Sequence, residues 1–560
     1  MWRRSNILSA AVASTLALGM STVGAAPAGD GWRLAEAAAA VSGDQIQRHV
    51  ATLGGDAMEG RFPGTEGGQR AAAYIAEELE RLGVRPLGDG GTFFQQVPML
   101  GNTPLPSSRL ALTSLGETRE LELGRDYLLY ATGAQTWLAR PAPMVFVGYG
   151  IVAPEFDYSD YADIDVRGKV VVFLAGEPPS EDPDYFLGAD TSVYAAAETK
   201  QRIALSRGAA GSVMIPAIDT VGGGWERLRG EFAFEHLTLA STLPRHLSVV
   251  LHPGLAPSLF ADALYDFGQV RSMERGHTLR SFHLPVAISF EGVFASRTFL
   301  APNVVGWIEG SDPELAATAV VLSAHHDHLG VGPAIDGDAI YNGVVDNALG
   351  VAGVLEIARV LTASSPPPRR SVIVLLTVAE EEGNLGAAYF LDHPPMPLPR
   401  LVAGINVDGL AFREPFGDVI GIGGELSDLG EMLAGAARAL GLELGGAQEL
   451  TVGHEAYVRS DQAAFAAAGV PAILVNEGFR WQRSTREEAV GQTVAWLAEV
   501  YHTPADDLAQ PLDFTASRQH CGVVLALLLA VADSPLAPQW RPGVPHAYQR
   551  LLSIADESRR

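Results

Sequence analysis

Cysteine is nearly absent. Cys521 stands alone among 560 residues, which excludes an intrachain disulfide and any cysteine-rich zinc module. It lies beside the apolar run Val523-Val524-Leu525, where a free thiol is expected to be buried. Lysine is almost as scarce. Lys169 and Lys200 are the only two, and arginine supplies the rest of the 39 basic residues. Positive charge is short overall, because Asp and Glu number 65 and the formal net charge is -26. Such a surface does not neutralise phosphates, so nucleic acid is not an expected partner. An anionic membrane surface is disfavoured for the same reason. No Gly-x-Ser-x-Gly sequence occurs, so a serine-hydrolase elbow is missing. Charged residues make up only 19 % of the chain against 47 % apolar. That balance builds a large core and rules out a disordered chain.

The first residues have the layout of an export signal. Arg3 and Arg4 are basic, Ile7 to Met20 is uncharged and mostly apolar, and Val23-Gly24-Ala25 offers small residues for cleavage. The apolar stretch falls short of the roughly 20 residues that span a bilayer. No cysteine follows it to carry a lipid, and no later stretch is read as a span. The expectation is removal of residues 1–25 and a periplasmic or secreted chain without stable membrane insertion.

Residues 30–141 read as the first part of a main domain. Asp44 is the expected cap of a helix carrying Ile46, Val50 and Leu53. Gly60-Arg61-Phe62-Pro63-Gly64 reads as a loop. Thr65 caps a second helix with Ala72, Ile75, Leu79 and Leu82 on one face and Gly83 as its stop. Short strands alternate from about residue 95 to 140. Residues 142–298 have the texture of a small β-rich insert, with Met144 to Val147, Val170 to Leu174 and Ser212 to Ile215 as strands. From 299 to 535 strands and helices alternate. Ala319–Ala324, Ser371–Val378, Leu401–Val407 and Ala472–Val475 are the strands. The pattern calls for an α/β fold, a mixed sheet with a mostly parallel core flanked by helices. Residues 536–560 read as a surface extension.

Acidic and imidazole side chains collect where these apolar strands end, the edge at which open α/β sheets bind ligands. The first strand runs into His325-His326-Asp327-His328. The second is followed by Glu380-Glu381-Glu382 and the third by Asp408. Asp346-Asn347 precede a helix, and a late segment reads Tyr501-His502-Thr503-Pro504-Ala505-Asp506-Asp507. Imidazole and carboxylate suit zinc in sites that keep a position open for water. Five or more such ligands without cysteine point to two ions sharing a carboxylate, about 3.5–4 Å apart in two-metal hydrolases. Adjacent Glu380 and Glu381 at a strand end point to opposite sides. One is free to bind metal while the other takes a proton from water. Asp327, two residues from His325, is placed to orient that imidazole.

Taken in order, six segments resemble the M28 family of metallopeptidases. They are Ala324-His325-His326-Asp327-His328-Leu329-Gly330, Asn342-Gly343-Val344-Val345-Asp346-Asn347-Ala348-Leu349-Gly350, Ala379-Glu380-Glu381-Glu382-Gly383, Asn406-Val407-Asp408, Ser460-Asp461 and Tyr501-His502-Thr503-Pro504. The resemblance is strongest over 302–510. The region of Gly148-Tyr149-Gly150 and Gly168-Lys169 resembles the protease-associated domain inserted in such enzymes, and residues 44–98 resemble the N-terminal part of bacterial members. The resemblance implies a zinc-exopeptidase-like fold, peptide substrates and two Zn²⁺ per chain. By position it implies His325 and Asp408 on one zinc, Glu381 and His502 on the other, and Asp346 bridging them. It implies Glu380 as general base and later acid to the leaving amine, and Tyr501 as an aid to the oxyanion. The implied activity is that of an exported dinuclear zinc aminopeptidase.

Two positions depart from the family pattern. Gln462 follows Asp461 where many members have His, and His326 stands where an aromatic is common. With five ligands assigned, His328 and His454 are read as structural or supporting histidines, and Glu382 as a solvated or supporting acid. Other readings stay open. A carboxypeptidase acting on acidic C-termini needs arginines to grip carboxylates, and Arg413, Arg459 and Arg480 are candidates. A single-zinc glutaminyl cyclase and a catalytically inactive receptor-like protein on the same fold complete the set.

Overall fold

The structure, a computed structural model, describes residues 31–558 apart from 131, 134–135, 183–184, 187, 189–191, 219–223, 243–245, 447–456 and 458. The N-terminal signal segment and His454 lie outside the described residues.

Helix α1 (Gly43–Leu53) buries Ile46, Val50 and Leu53 on one face, as the spacing requires. Its cap is Ser42, whose hydroxyl accepts from Gln45 N. Asp44, the expected cap, sits two residues further in, within the first turn, where its charge still suits the helix N-terminus. Helix α2 (Glu66–Arg81) starts at Thr65, and Gly83 turns the chain away from its end at φ 77°. The loop expected around Gly60 begins inside a short helical turn, Asp56–Arg61, that carries Arg61 into the interior.

Strand β1 (Phe94–Pro104) belongs to the larger of two sheets. The chain then crosses to a smaller sheet and lays down β2 (Arg109–Ser114), β3 (Glu117–Leu121), β4 (Tyr127–Leu129), β5 (Trp137–Phe146), β6 (Val170–Leu174) and β7 (Gly211–Ile215). Helix α3 (Gly224–Glu231) comes next, and β8 (His236–Leu239) returns to the larger sheet beside β1. Strands β9 (Leu247–Leu251) and β10 (Phe282–Glu291) complete the smaller sheet, and β11 (Phe294–Ile308) carries the chain back. The smaller sheet runs β3-β2-β10-β5-β6-β7-β9-β4. Its strands β5, β6, β7 and β9 are parallel, and β6 is buried along its whole length, as a strand covered on both faces must be. The smaller sheet starts upstream of residue 142, because β2 and β3 pair with β10 and with each other. Conversely β8, inside 142–298, pairs with β1. At the crossing, Ser108 Oγ donates to Val293 O and accepts from Val293 N, both at 3.0 Å.

The rest of the larger sheet comes from β12 (Ala319–His325), β13 (Ser371–Thr377), β14 (Leu401–Asn406), β15 (Asp418–Ile422), β16 (Glu443–Leu444) and β17 (Ala472–Glu477), in the order β8-β1-β11-β13-β12-β14-β17-β15-β16. Strands β13, β12, β14 and β17 form the parallel core, and β11 and β15 flank it antiparallel. Helix α4 (Leu349–Ala363) comes after β12, and α5 (Arg486–Glu499) and α6 (Phe514–Asp533) come after β17. Helix α6 is apolar and long enough to cross a membrane by composition, which the sequence reading did not recognise, yet 72 % of its most apolar 18-residue stretch is buried in the fold. Cys521 lies on its buried face, as expected. The C-terminal stretch is tied down, with Arg550 donating to the carbonyls of Leu398 and Pro399. Strands β12, β13 and β14 are buried throughout and end at one edge.

Candidate metal centre

His325 is the last residue of β12. Its Nε2 lies 3.2 Å from Asp346 Oδ1 and 3.2 Å from Asp408 Oδ1. Asp346 reaches in from the loop before α4, and Asp506 holds that loop by accepting from Val345 N at 2.9 Å and Asp346 N at 3.1 Å. Asp408 stands just past β14. Asn347 fixes its turn, donating to Val407 O at 3.0 Å and accepting from Gly409 N at 2.8 Å. The second oxygen of Asp346, Oδ2, lies 3.2 Å from His502 Nε2, and Glu381 Oε2 lies 3.0 Å from the same nitrogen. One carboxylate thus addresses two imidazoles, each with a further carboxylate of its own. Asp408 and His502 are the more open members, at 25 % and 18 % side-chain exposure, so the mouth lies on their side.

The two glutamates are separated by a turn rather than by an extended strand, which corrects the geometry expected from the sequence. Strand β13 stops at Thr377, and Ala379 adopts a left-handed backbone with φ 56°. Glu381 is held by His328, whose Nδ1 is 2.6 Å from Oε1. Glu380 comes no closer to His325 Nε2 than 4.0 Å, so it stands apart from both sets. Its backbone N–H donates to Asp327 Oδ1 at 3.2 Å. Asp327 meets His325 Nδ1 more closely through its backbone carbonyl, at 3.3 Å, than through its carboxylate, at 3.8 Å. It therefore orients the imidazole mainly by its backbone and steadies the Glu380 turn by its side chain.

Buried acid dominates the electrostatics. Burial pushes the Asp327 carboxyl up to about 7 and that of Asp461 up to about 6. Glu380 is driven well above the ordinary range by burial, with His325 opposing and Asp408 and Glu381 adding to the shift. Burial lowers the affinity of His502 for a proton, but Glu381 and Asp346 outweigh it and hold the ring up to about 10. Such a concentration of buried carboxylate calls for cations. The donors fit a zinc-type ion: imidazole and carboxylate at facing positions, with His502 Nε2 buried and making no well-aligned hydrogen bond.

Arg61 is the residue behind the site that the sequence reading missed. It is 1 % exposed. Nε donates to His326 O at 3.0 Å, Nη1 to Leu53 O at 2.9 Å and to Asn342 O, and Nη2 to Gly343 O at 2.7 Å. It thereby ties the His325–His328 segment to the loop of Asp346. Gly60 permits the approach, since a Cβ there would stand 2.3 Å from Tyr341 O. Replacing Arg61 with Met is expected to strand these carbonyls and cost about 3 kcal/mol, since a buried acceptor left without its donor costs about 1–3 kcal/mol. A urea midpoint within error of the parent would contradict this.

The other expected residues divide by contact. Tyr501 stacks on His502, with ring centroids 3.8 Å apart. His326 Nε2 donates to Pro302 O, and burial holds its ring down to about 4, so it stays neutral. Gln462 is a buried link behind β14, accepting from Asn406 Nδ2 and donating to Tyr457 O. Glu382 is not solvated; it binds His236 and Leu237. Arg480 pairs with Glu443, and Arg413 lies over the Phe412 ring.

Residues 303–528 match peptidase family M28. No curated protein sequence matches the chain. The aminopeptidase from Aneurinibacillus sp. strain AM-1 shares the fold, with a TM-score of 0.53 and 18 % identity over 88 % of this chain and 95 % of that one. The zinc aminopeptidase BSAP from Bacillus subtilis gives 0.45 at 18 % identity over 87 % and 95 %. A peptidase M28 precursor from Shewanella amazonensis SB2B gives 0.44 at 18 % identity over 91 % and 97 %. The segment that matches peptidase family M28 contains His325, Asp346, Glu380, Glu381, Asp408 and His502, so the site described above lies wholly within the matched part of the chain.

Proposed function

We propose that this metallopeptidase is an exported dinuclear zinc aminopeptidase that releases N-terminal residues from peptides. The observation that carries the reading is the sharing of Asp346 between His325 and His502. One ligand set is His325, Asp408 and Asp346 Oδ1. The other is His502, Glu381 and Asp346 Oδ2. Two zinc ions bound there supply polarisation of the scissile carbonyl and acidification of water at neutral pH. The chain supplies the rest. His328, Asp506 and Asn347 hold Glu381, Asp346 and Asp408 in place. Glu380, claimed by neither set, takes a proton at its carboxylate and passes it to the leaving amine. Burial favours its protonated form and bound cations oppose that shift. The choice of the N-terminal end rests on the resemblance to aminopeptidases and is what the acetylated-peptide arm below tests. The basic, apolar and small-residue layout of residues 1–25 supports export.

The test uses zinc-loaded protein with aminoacyl-nitroanilides, N-acetylated peptides and C-terminally blocked peptides, alongside elemental analysis. The expected result is two zinc ions per chain and cleavage that needs a free amine but tolerates a blocked C-terminus. Equal cleavage of acetylated peptides overturns the aminopeptidase reading, and one ion or none overturns the dinuclear one.

Protons report the same site. In zinc-free protein the carboxylates keep His502 protonated until the pH rises through about 10. Coordination through Nε2 needs the neutral ring, so zinc binding at pH 7 is expected to release that proton, and the release fades as the pH passes about 10. Calorimetry in buffers of different ionisation enthalpy reads it. Identical heats at pH 7 would contradict the ligand assignment.

A further inference from the structure

One segment of the smaller unit reaches across to the metal centre. Helix α3 is anchored in that unit, where Trp225, Leu228 and Phe232 pack with Leu128, Tyr130 and Val250. Its outer side faces the other way. Arg227 donates Nη1 to Ala498 O at 2.7 Å and Nη2 to Leu497 O at 3.2 Å. Those carbonyls belong to the last turn of α5, which lacks intrahelical donors and carries the negative end of the helix dipole. Tyr501 N returns to Trp496 O in the same turn at 3.0 Å. His502 comes next at φ 57°, a backbone region that a residue with a side chain holds only when its surroundings impose it.

The segment continues past two more edges of the site. Phe234 meets Tyr341 edge-on, centroids 5.0 Å apart, at the end of the hairpin between His328 and Asp346. Glu382, the neighbour of Glu381, then takes Leu237 N at 2.9 Å and His236 Nδ1 at 2.8 Å. Each contact lands on a stretch that presents a candidate ligand, and none is needed by the smaller unit's own core.

We propose that the strap Gly224–Leu239 positions the metal centre: Arg227 fixes the end of α5 that presents His502, and His236 with Leu237 fixes the turn that presents Glu381. Arg227 and His236 are positioning residues, and their role rests on the zinc reading above. Arg227 is half exposed and the His236 side chain a third exposed, so replacing either opens no core.

The experiment compares Arg227→Met, Arg227→Lys and His236→Ala with the parent as full-length, zinc-loaded proteins. It measures zinc transfer to a chromogenic chelator, kcat and KM separately, and the thermal midpoint. The expected result for Arg227→Met and His236→Ala is zinc release about tenfold faster, the scale on which outer partners tune metal sites. A fall in kcat with little change in KM is expected, at a thermal midpoint close to the parent. Arg227→Lys keeps one donor and restores part of the effect. A lowered midpoint with release and kcat at the parent's values marks a merely structural role and overturns the proposal. So does release at the parent's rate in both variants with no other change. A parent that holds no zinc overturns the zinc reading, and the strap's role falls with it; a zinc-holding parent with unaffected variants overturns the strap alone.

Discussion

Asp346→Ala is expected to leave a protein that holds at most one zinc ion and turns over at less than about one hundredth of the parent rate. Loss of outer partners alone costs 10–100-fold, so removing the one carboxylate common to both sets costs at least about that upper figure. The reason is geometric. Oδ1 and Oδ2 stand 3.2 Å from His325 Nε2 and 3.2 Å from His502 Nε2 respectively, and among the described residues no other carboxylate pairs with both rings. Without Asp346 the remaining partners form two incomplete pairs, His325 with Asp408 and His502 with Glu381. Elemental analysis and progress curves together check this. Two tightly held ions in the variant would show that the carboxylate does not bridge.

Glu380→Gln is expected to separate binding from chemistry. Gln keeps the volume and the backbone bond to Asp327 Oδ1, and removes only the proton acceptor. General-base loss costs about 10²–10⁴-fold, so kcat is expected to fall on that scale while zinc content and folding stay near the parent's. Glu381→Gln is expected to behave differently. That carboxylate faces His502 and is held from behind by His328, so its neutralisation loses metal as well as activity. Near-normal turnover of Glu380→Gln, or loss of metal there with retention in Glu381→Gln, would reverse the two roles.

The legible part of the sequence is the part that depends on neighbours in the chain. Apolar strands that lead into His325, Glu380 and Asp408 announce themselves. A run such as Ser371 to Thr377 makes sense only when buried on both faces, and the residues just past it must emerge at the sheet edge. The hidden part depends on distant partners. Arg61 reads as a loop residue because the carbonyls it serves belong to His326, Asn342 and Gly343. Glu382 reads as a solvated or supporting acid, with no sign of which, because its partner His236 arrives with β8. The smaller sheet starts earlier than expected because β2 declares itself only by pairing with β10, Ala111 opposite Ser289. Alternation of residues cannot say which of two sheets a strand joins. Even the cap of α1 differs from expectation, since Ser42 and Asp44 are both good caps and only the path of the chain decides between them.

The crossing at Ser108 has a mechanical consequence. Strands β1 and β11 pair along their lengths up to Pro104 opposite Phe294, and Ser108 continues the attachment to Val293 on the far side. These two of the four crossings between the sheets are therefore one hydrogen-bonded ribbon and not a pair of loose linkers; the other two lead into and out of β8, which pairs with β1. Sliding or twisting such a ribbon breaks its ladder, whereas bending it across its plane does not. The ribbon by itself would hinge about a single line, but Arg227 bonded to α5 and β8 paired with β1 fasten the smaller unit at a second place and brace it against that hinge.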